Sequence, residues 1–438
     1  MSWEAAADLA RPAAALTGLA GAHVAVWLPF GLVGVISWAV WSARRFLAFL
    51  YRPLEGDFWD DVSVVAPAFR EDPEILIVAA RSWLYSGAAE VVIVLPADER
   101  ASTAEAIAEL TDDPRVRLIV TDNPAKRNSL TLAIEAAQHP IVVLTDSDTL
   151  WEPDLLKNLL IPFEDPGVGG VGTRQRVLEA ESSVWRRAAD WMLDARYQVY
   201  VPAMARKGGV SCLSGRTVAY RHDVLQTVLP GLLGETFWGR RCVSGDDGRL
   251  TWLVLNEGYK TTYQHNAVAW TMMPDTATGF LQQRVRWARN SYRCYLRAIF
   301  RGWLFRQPMI TRVSVLQGLL APLSLTVSLA FVALAAARGD FVAVAGWTAW
   351  VTAGRGLRAF DHLRSNPRNL LLLPMMTGLI VFVLTAVKYV TFATMNKQAW
   401  ITRTEDRGTA EGQGHESIDL ALLRSRISAT GQREAAGA

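Results

Sequence analysis

Apolar residues fall into two kinds of run along the chain: long unbroken blocks near the ends and short blocks alternating with polar stretches between them. From Ala13 to Trp41 the sequence is almost free of charge over about 29 residues, enough for one tilted membrane-spanning helix but not for two and a turn. Arg44, Arg45 and Arg52 follow at once, which by the positive-inside rule puts that flank in the cytoplasm. A cleaved signal peptide fits less well, because the block is too long and Glu4 and Asp8 precede it in place of a basic segment. Near the other end, Val313 to Ala337 and Leu370 to Met395 predict further crossings. The shorter Phe341 to Gly354 predicts either a crossing prolonged through Leu357 or a re-entrant piece, for about three helices over 313–395.

From about Asp60 the rhythm changes. VSVVAPAF at 62–69, EVVIVLP at 90–96, VRLIV at 116–120 and IVVLTD at 141–146 are short, β-branched and separated by helical stretches. That alternation predicts βαβ units and an α/β domain over 58–278, with a parallel, doubly wound sheet buried on both faces. Ligands of such sheets bind at the carboxyl ends of the strands, where Asp98 and Asp146 fall. A basic, aromatic segment follows over 279–308, with Arg289, Arg293, Arg297 and Arg301 recurring every four residues. It predicts an amphipathic helix lying in the membrane interface, its arginines turned to the lipid headgroups. Beyond Thr404 the composition is that of a disordered tail, 404–438.

Composition sharpens this picture. Hydrophobic residues make up 51% and charged residues 20%, and the net charge of +3 is too small to favour nucleic acid as a partner. The lipid bilayer is the partner expected. Cys212, Cys242 and Cys294 have no CxxC spacing and the six histidines form no HExxH pattern, so reduced thiols and no zinc site are expected.

Two acidic motifs carry the candidate chemistry. IVVLTDSDT ends a buried strand with Asp146 and Asp148 flanking one residue, a pair able to hold a hard divalent cation with positions open for diphosphate oxygens. In VSGDDGRLTWLV, Asp246 and Asp247 follow a glycine and open a helix, where one of them can cap the helix N-terminus or deprotonate an acceptor hydroxyl.

With QQRVRW, which sets Gln283, Arg286 and Trp287 in QxxRW spacing, the ordered set DSDT, GDD, NPAKRNSL, SCLSGRTVAYR and AWITR resembles the processive family 2 glycosyltransferases. The likeness, from about Val62 to Arg403, is greatest to hyaluronan synthases and rhizobial chitooligosaccharide synthases, with cellulose synthases more distant. It implies a cytosolic GT-A domain of Rossmann-like type joined to an α-helical transmembrane region. It further implies a UDP-sugar donor, Mg2+ or Mn2+ as cofactor, and a growing polysaccharide as acceptor, polymerised and exported across the cell membrane. Asp98, Lys126 and Arg127 would contact the donor nucleotide. Asp146 and Asp148 would bind the diphosphate and metal, Arg286 would steady the departing diphosphate, and Asp247 would be the base beside Asp246. Ser214, Gly215, Arg216, Gln283 and Trp287 would form the acceptor end.

The chain departs from the pattern where PAFRE stands for PxYNE, where PADE replaces an acidic pair, and where Ser214-Gly215-Arg216 replaces SGP. Arg216 at that place is able to pair with a uronate carboxylate or to bond backbone carbonyls. Two further readings stay open: a non-processive transferase that glycosylates a lipid, and a catalytically dead scaffold, against which the retained acidic residues speak.

Overall fold

The computed structural model describes residues 32–97, 107–123 and 125–397. The predicted first span therefore enters only from Leu32, and Asp98, the AWITR run and the 404–438 tail lie outside the described residues.

The short apolar runs are strands at their expected places: β1 Val62–Pro67, β2 Glu90–Pro96, β3 Val116–Thr121 and β4 Ile141–Thr145. Helices α2 (Pro73–Tyr85) and α3 (Lys126–Ala136) lie between them, and α1 (Leu32–Phe49) precedes. The four strands pair in parallel in the order β3-β2-β1-β4. β1, β2 and β4 are buried along almost their whole length, whereas β3, at the edge, alternates partly to solvent.

The sheet does not stay parallel. It continues through β7 (Thr217–Arg221), β6 (Val168–Val177), β8 (Lys260–Thr271) and the short β5 (Leu150–Trp151), making eight strands. β7 runs antiparallel to both β4 and β6, and β5 is antiparallel to β8, so the expected doubly wound parallel sheet is corrected to a mixed one. After β6 the chain passes through helical segments over 184–205 and re-enters the sheet between β4 and β6, where β7 lies antiparallel to both before leading directly into α5 (His222–Leu233). Two apolar layers cover the sheet, one built on α2, the other on α3, α4 (Val184–Ala195), α5 and α6 (Asp246–Asn256).

The basic segment forms α7 (Ala277–Phe300), but its arginine row is not turned to headgroups. Arg289 donates to Thr394 Oγ1, buried Arg293 to the Met395 carbonyl and Ser244, and Arg297 to the Thr236 carbonyl. Of the four, Arg301 alone is exposed. The row faces inward because the last helix and the Glu235 loop supply acceptors, and a guanidinium with several partners satisfies its fixed fork of donors there. Arg44 is likewise turned inward: it is buried, donating to Ser314 Oγ at 3.2 Å and Gln317 Oε1 at 2.8 Å, with its guanidinium over the Tyr200 ring.

After α7 come α8 (Met309–Ala337), α9 (Phe341–Arg358), the short α10 (Phe360–Ser365) and the helical stretch α11 (Pro367–Ala393). Among the described residues α8 and α11 are long and apolar enough to cross a membrane, and little of either apolar stretch is buried within the protein. A core helix of a soluble domain would be mostly covered. Lys388 in α11 donates to the Gly318 carbonyl of α8 at 3.0 Å.

Candidate active site

A cavity of about 220 Å³ opens at the carboxyl end of β4 and gathers residues remote in the chain, among them Lys126, the Asp146 and Asp148 turn, Ser214–Arg216, Asp246 and Asp247, and the inward face of α7.

The turn after β4 is held on both sides. Thr149 N–H donates to the Asp146 carbonyl at 3.1 Å, and Ser147 Oγ donates to buried Glu71 Oε2 at 2.6 Å. Glu71 belongs to the PAFRE run after β1, in which Arg70 takes φ +50°. The adjoining strand thus fixes the acidic turn through a residue that its sequence departure had not marked as functional.

The second acidic pair is delivered by backbone geometry. Gly245 has φ +81°, and a Cβ there would lie 2.8 Å from Asn290 Cγ, so only glycine lets the chain turn into α6 at this spot. Gly245 is the N-cap and Asp246 and Asp247 stand in the first turn, which corrects the expectation that an aspartate caps the helix. Asp247 Oδ1 accepts from Gly248 N–H at 2.7 Å. Burial, and then the negative charge of Asp246, raise the Asp247 carboxyl above its ordinary range, against the pull of Gly248 N–H and Lys126. A carboxylate that holds its proton more tightly is a stronger base.

Lys126, the first residue of α3, joins the two motifs: its Nζ is 2.7 Å from Asp146 Oδ1 and 3.7 Å from Asp246 Oδ2. Burial alone would lower its pKa, but Asp146 and Asp246 outweigh that and raise it. Asp146 is lowered, its own burial being more than offset by Lys126.

Gln283, Arg286 and Trp287 all line the cavity from α7. Gln283 Oε1 is buried with no partner among the described residues, an acceptor open to a hydroxyl. The guanidiniums of Arg216 and Arg284 each lie 4.7 Å from the Trp287 ring centre. Arg216 also donates to Gln175 Oε1 at 2.8 Å and to Met273 Sδ at 3.8 Å, and among the described residues its guanidinium donates to no backbone carbonyl. Burial, and then Arg216, bring Arg284 down to about 9.

Arg127 is the site residue the structure moves away. It is buried outside the cavity and donates to the Leu232 and Ser244 carbonyls and to Glu235 at 2.7 Å. One helical residue beyond Lys126 turns its side chain by about 100°, off the cavity and into the core. Asn290, Cys294, Arg196 and Tyr197 line the cavity and were not read from the sequence. Asn290 and Cys294 continue the helical period 283, 286, 287, 290, 294, so the α7 face carried the signal. Arg196 and Tyr197 sit on a π-helical turn, Arg196–Tyr200, that no sequence pattern announces.

Residues 60–290 match the family model described as glycosyltransferase like family 2, and the chain belongs to that family. It is 27% identical over 371 residues to an N-acetylglucosaminyltransferase of Mesorhizobium japonicum, covering 80% of this chain and 84% of that one. An N-acetylglucosaminyltransferase of Sinorhizobium fredii is 32% identical over 250 residues, covering 54% of this chain and 59% of its own length. A type 2 glycosyltransferase of Pyricularia oryzae is 30% identical over 243 residues, and there the chain spans about half of the relative's length, 50%. In fold, the chain is similar to a mannosyltransferase from Pyrobaculum calidifontis solved with GDP-Man and Mn2+, with TM-score 0.60 and 22% identity, covering 84% of this chain and 98% of that one. The chain is thus a glycosyltransferase with a GT-A-like α/β fold, a mixed sheet and two apolar helices.

Proposed function

We propose that the chain is a membrane-embedded, inverting glycosyltransferase that takes a sugar from a UDP-sugar, UDP-N-acetylglucosamine first among them, and adds it repeatedly to a β-linked glycan exported through its own helices. On this reading 58–278 is the catalytic domain on the cytosolic side of the cell membrane. The 279–308 segment closes the cavity, and 313–395 with the N-terminal helix forms the membrane part. One observation carries the proposal: a single cavity unites Asp146, Asp148 and Lys126 with Asp247, Arg286 and Trp287. The relatives named N-acetylglucosaminyltransferases support the choice of donor.

The chemistry follows from the charges. Asp247 takes the proton of the acceptor hydroxyl, whose oxygen attacks the anomeric carbon as the bond to UDP breaks with its electron pair. Attack from the face opposite UDP turns an α-linked donor into a β-linked product. Lys126 and Arg286 face the negative charge that grows on the leaving diphosphate. Asp146 and Asp148 are hard oxygen donors on one cavity wall, a set suited to a divalent cation sharing phosphate oxygens. Asp148, with Asp146 beside it, would hold Mg2+ or Mn2+, which when bound neutralises the diphosphate. Trp287, with Arg216 and Arg284 over its ring, contributes the apolar part of the acceptor end, and Gln283 Oε1 accepts from a sugar hydroxyl.

Purified full-length enzyme incubated with single radiolabelled UDP-sugars, followed by sizing, tests this. Label from UDP-N-acetylglucosamine in a ladder of oligomers is expected. Label confined to a singly glycosylated lipid would replace repeated transfer with glycolipid synthesis, and no transfer from any UDP-sugar would overturn the donor class.

A further inference from the structure

A second cavity, about 110 Å³, lies between α1, α8 and α9, outside the active site. Its lining pairs two arginines, Arg355 and Arg358, with Trp38, Trp350, Ser37 and Ser324. Arg358 donates to Ser37 Oγ at 3.2 Å, its guanidinium sits 4.7 Å from the Trp38 ring centre, and its Nε is buried without a partner. The Arg355 guanidinium has no hydrogen bond or ion pair to the described residues. Nearby Arg44 is buried and bonded only to neutral partners. By contrast Arg45, one residue on, is paired with Asp361 at 2.8 Å. Among the described residues no carboxylate pairs with Arg44, Arg355 or Arg358.

The position is informative. α8 leaves the catalytic domain at Met309, so α9 returns toward it and ends at Arg358, where α10 packs on α4. On the proposed membrane reading the cavity then lies one or two helical turns inside the leaflet next to the catalytic domain. That is the depth of lipid headgroups and of the tryptophans that favour them. Uncompensated guanidiniums in a low-dielectric setting demand an anion, and their fork geometry matches phosphate oxygens. Basic pockets between membrane helices on this side are of the kind that hold anionic lipid headgroups. We propose that Arg355 and Arg358 hold the phosphate of an anionic phospholipid in this cavity, with Ser37 as a further donor and Trp38 and Trp350 flanking the glycerol region. The bound headgroup would tie α1 to α9.

This rests on the membrane reading but not on the donor or product, so its test leaves transfer aside. The full chain is delipidated in neutral detergent, and its Tm is followed with added phosphatidylglycerol, phosphatidylcholine or inorganic phosphate, for the parent and for Arg355→Gln/Arg358→Gln. Phosphatidylglycerol is expected to raise the parent Tm by on the order of 5 °C, with a much smaller rise from the other two and none in the double variant. Native mass spectrometry of the mildly purified parent, which needs no variant to fold, should find one phosphatidylglycerol-class lipid retained, and Arg355→Lys should retain it more weakly. An equal response to inorganic phosphate would make this a soluble-anion site and overturn the lipid assignment. Protection by a uronate oligosaccharide but not by lipid would assign the cavity to a passing glycan. Equal lipid response in the double variant, or a parent that retains no anionic lipid, would remove the site altogether. Sugar transfer measured on the same parent sample separates failure here from failure of the glycosyltransferase reading.

Discussion

The Lys126 ammonium lies 2.7 Å from an Asp146 carboxylate oxygen, an ion pair inside the cavity proposed as the site of transfer. The same ammonium reaches Asp246 at 3.7 Å, so one cation is shared between the strand-end acids and the helix-start acids. Opposite pH shifts should follow. Asp247 must be ionised to act as base, so activity falls as pH drops through its raised pKa. Asp246 raises that pKa and Lys126 lowers it. Asp246→Asn should therefore move the acid limb of kcat/KM to lower pH, and Lys126→Met should move it to higher pH while raising KM for the UDP-sugar about tenfold or more. Shifts in the same direction would contradict the shared-cation geometry.

Trp287 is held by Arg216 and Arg284, both 4.7 Å from its ring centre. Trp287→Ala should raise KM for an oligosaccharide acceptor by about 5- to 30-fold, the equivalent of ~1–2 kcal/mol of lost ring contact, and leave UDP affinity near the parent value. Trp287→Phe should recover part of the loss. Steady-state kinetics in acceptor, beside calorimetry with UDP, measures both.

Glu235 is buried and faces three guanidiniums, Arg127 at 2.7 Å, Arg297 at 3.5 Å and Arg249 at 3.6 Å. These come from α3, α7 and α6, so one carboxylate ties the cavity's walls together. Glu235→Gln leaves three buried cations short of a counter-charge and should cost about 3–5 kcal/mol, read as a Tm drop of several degrees in detergent. Arg301→Gln, on the exposed end of α7, should leave Tm unchanged.

Chelation checks the role given to Asp148. EDTA should abolish transfer, and added magnesium or manganese should restore it. Full transfer in EDTA would leave Asp148 without a metal to hold.

How much was legible follows from how each residue is placed. The strand ends, Asp146 and the GDD turn were readable because buried parallel strands and a glycine before a helix write local signals. QxxRW was readable because helical spacing alone puts Gln283, Arg286 and Trp287 on one face, and the same spacing would have given Asn290. The antiparallel β7 and the long β6 and β8 were missed, since polar residues such as Thr173, Gln175 and Gln264 interrupt their apolar pattern while being buried and hydrogen-bonded. Arg127 was given to the donor, together with Lys126, by the resemblance of NPAKRNSL, although neighbours in a helix point apart. The inward arginine row of α7 was not readable, because its partners, Ser244, Thr236, Thr394 and Glu235, are remote in sequence and most of them neutral.

The central claim is that Asp247 removes the acceptor proton. Asp247→Asn keeps the size of the side chain, and Gly245 remains the N-cap, so the fold and the UDP contacts should persist. The direct measurement is turnover of Asp247→Asn beside its calorimetric affinity for UDP with magnesium, with Asp148→Asn as comparison. The account predicts a loss of about a hundred- to ten-thousand-fold in turnover at near-parent UDP affinity, whereas Asp148→Asn should lose affinity as well as rate. Turnover of Asp247→Asn close to that of the parent enzyme would contradict the account and transfer the role to another group, Asp246 first.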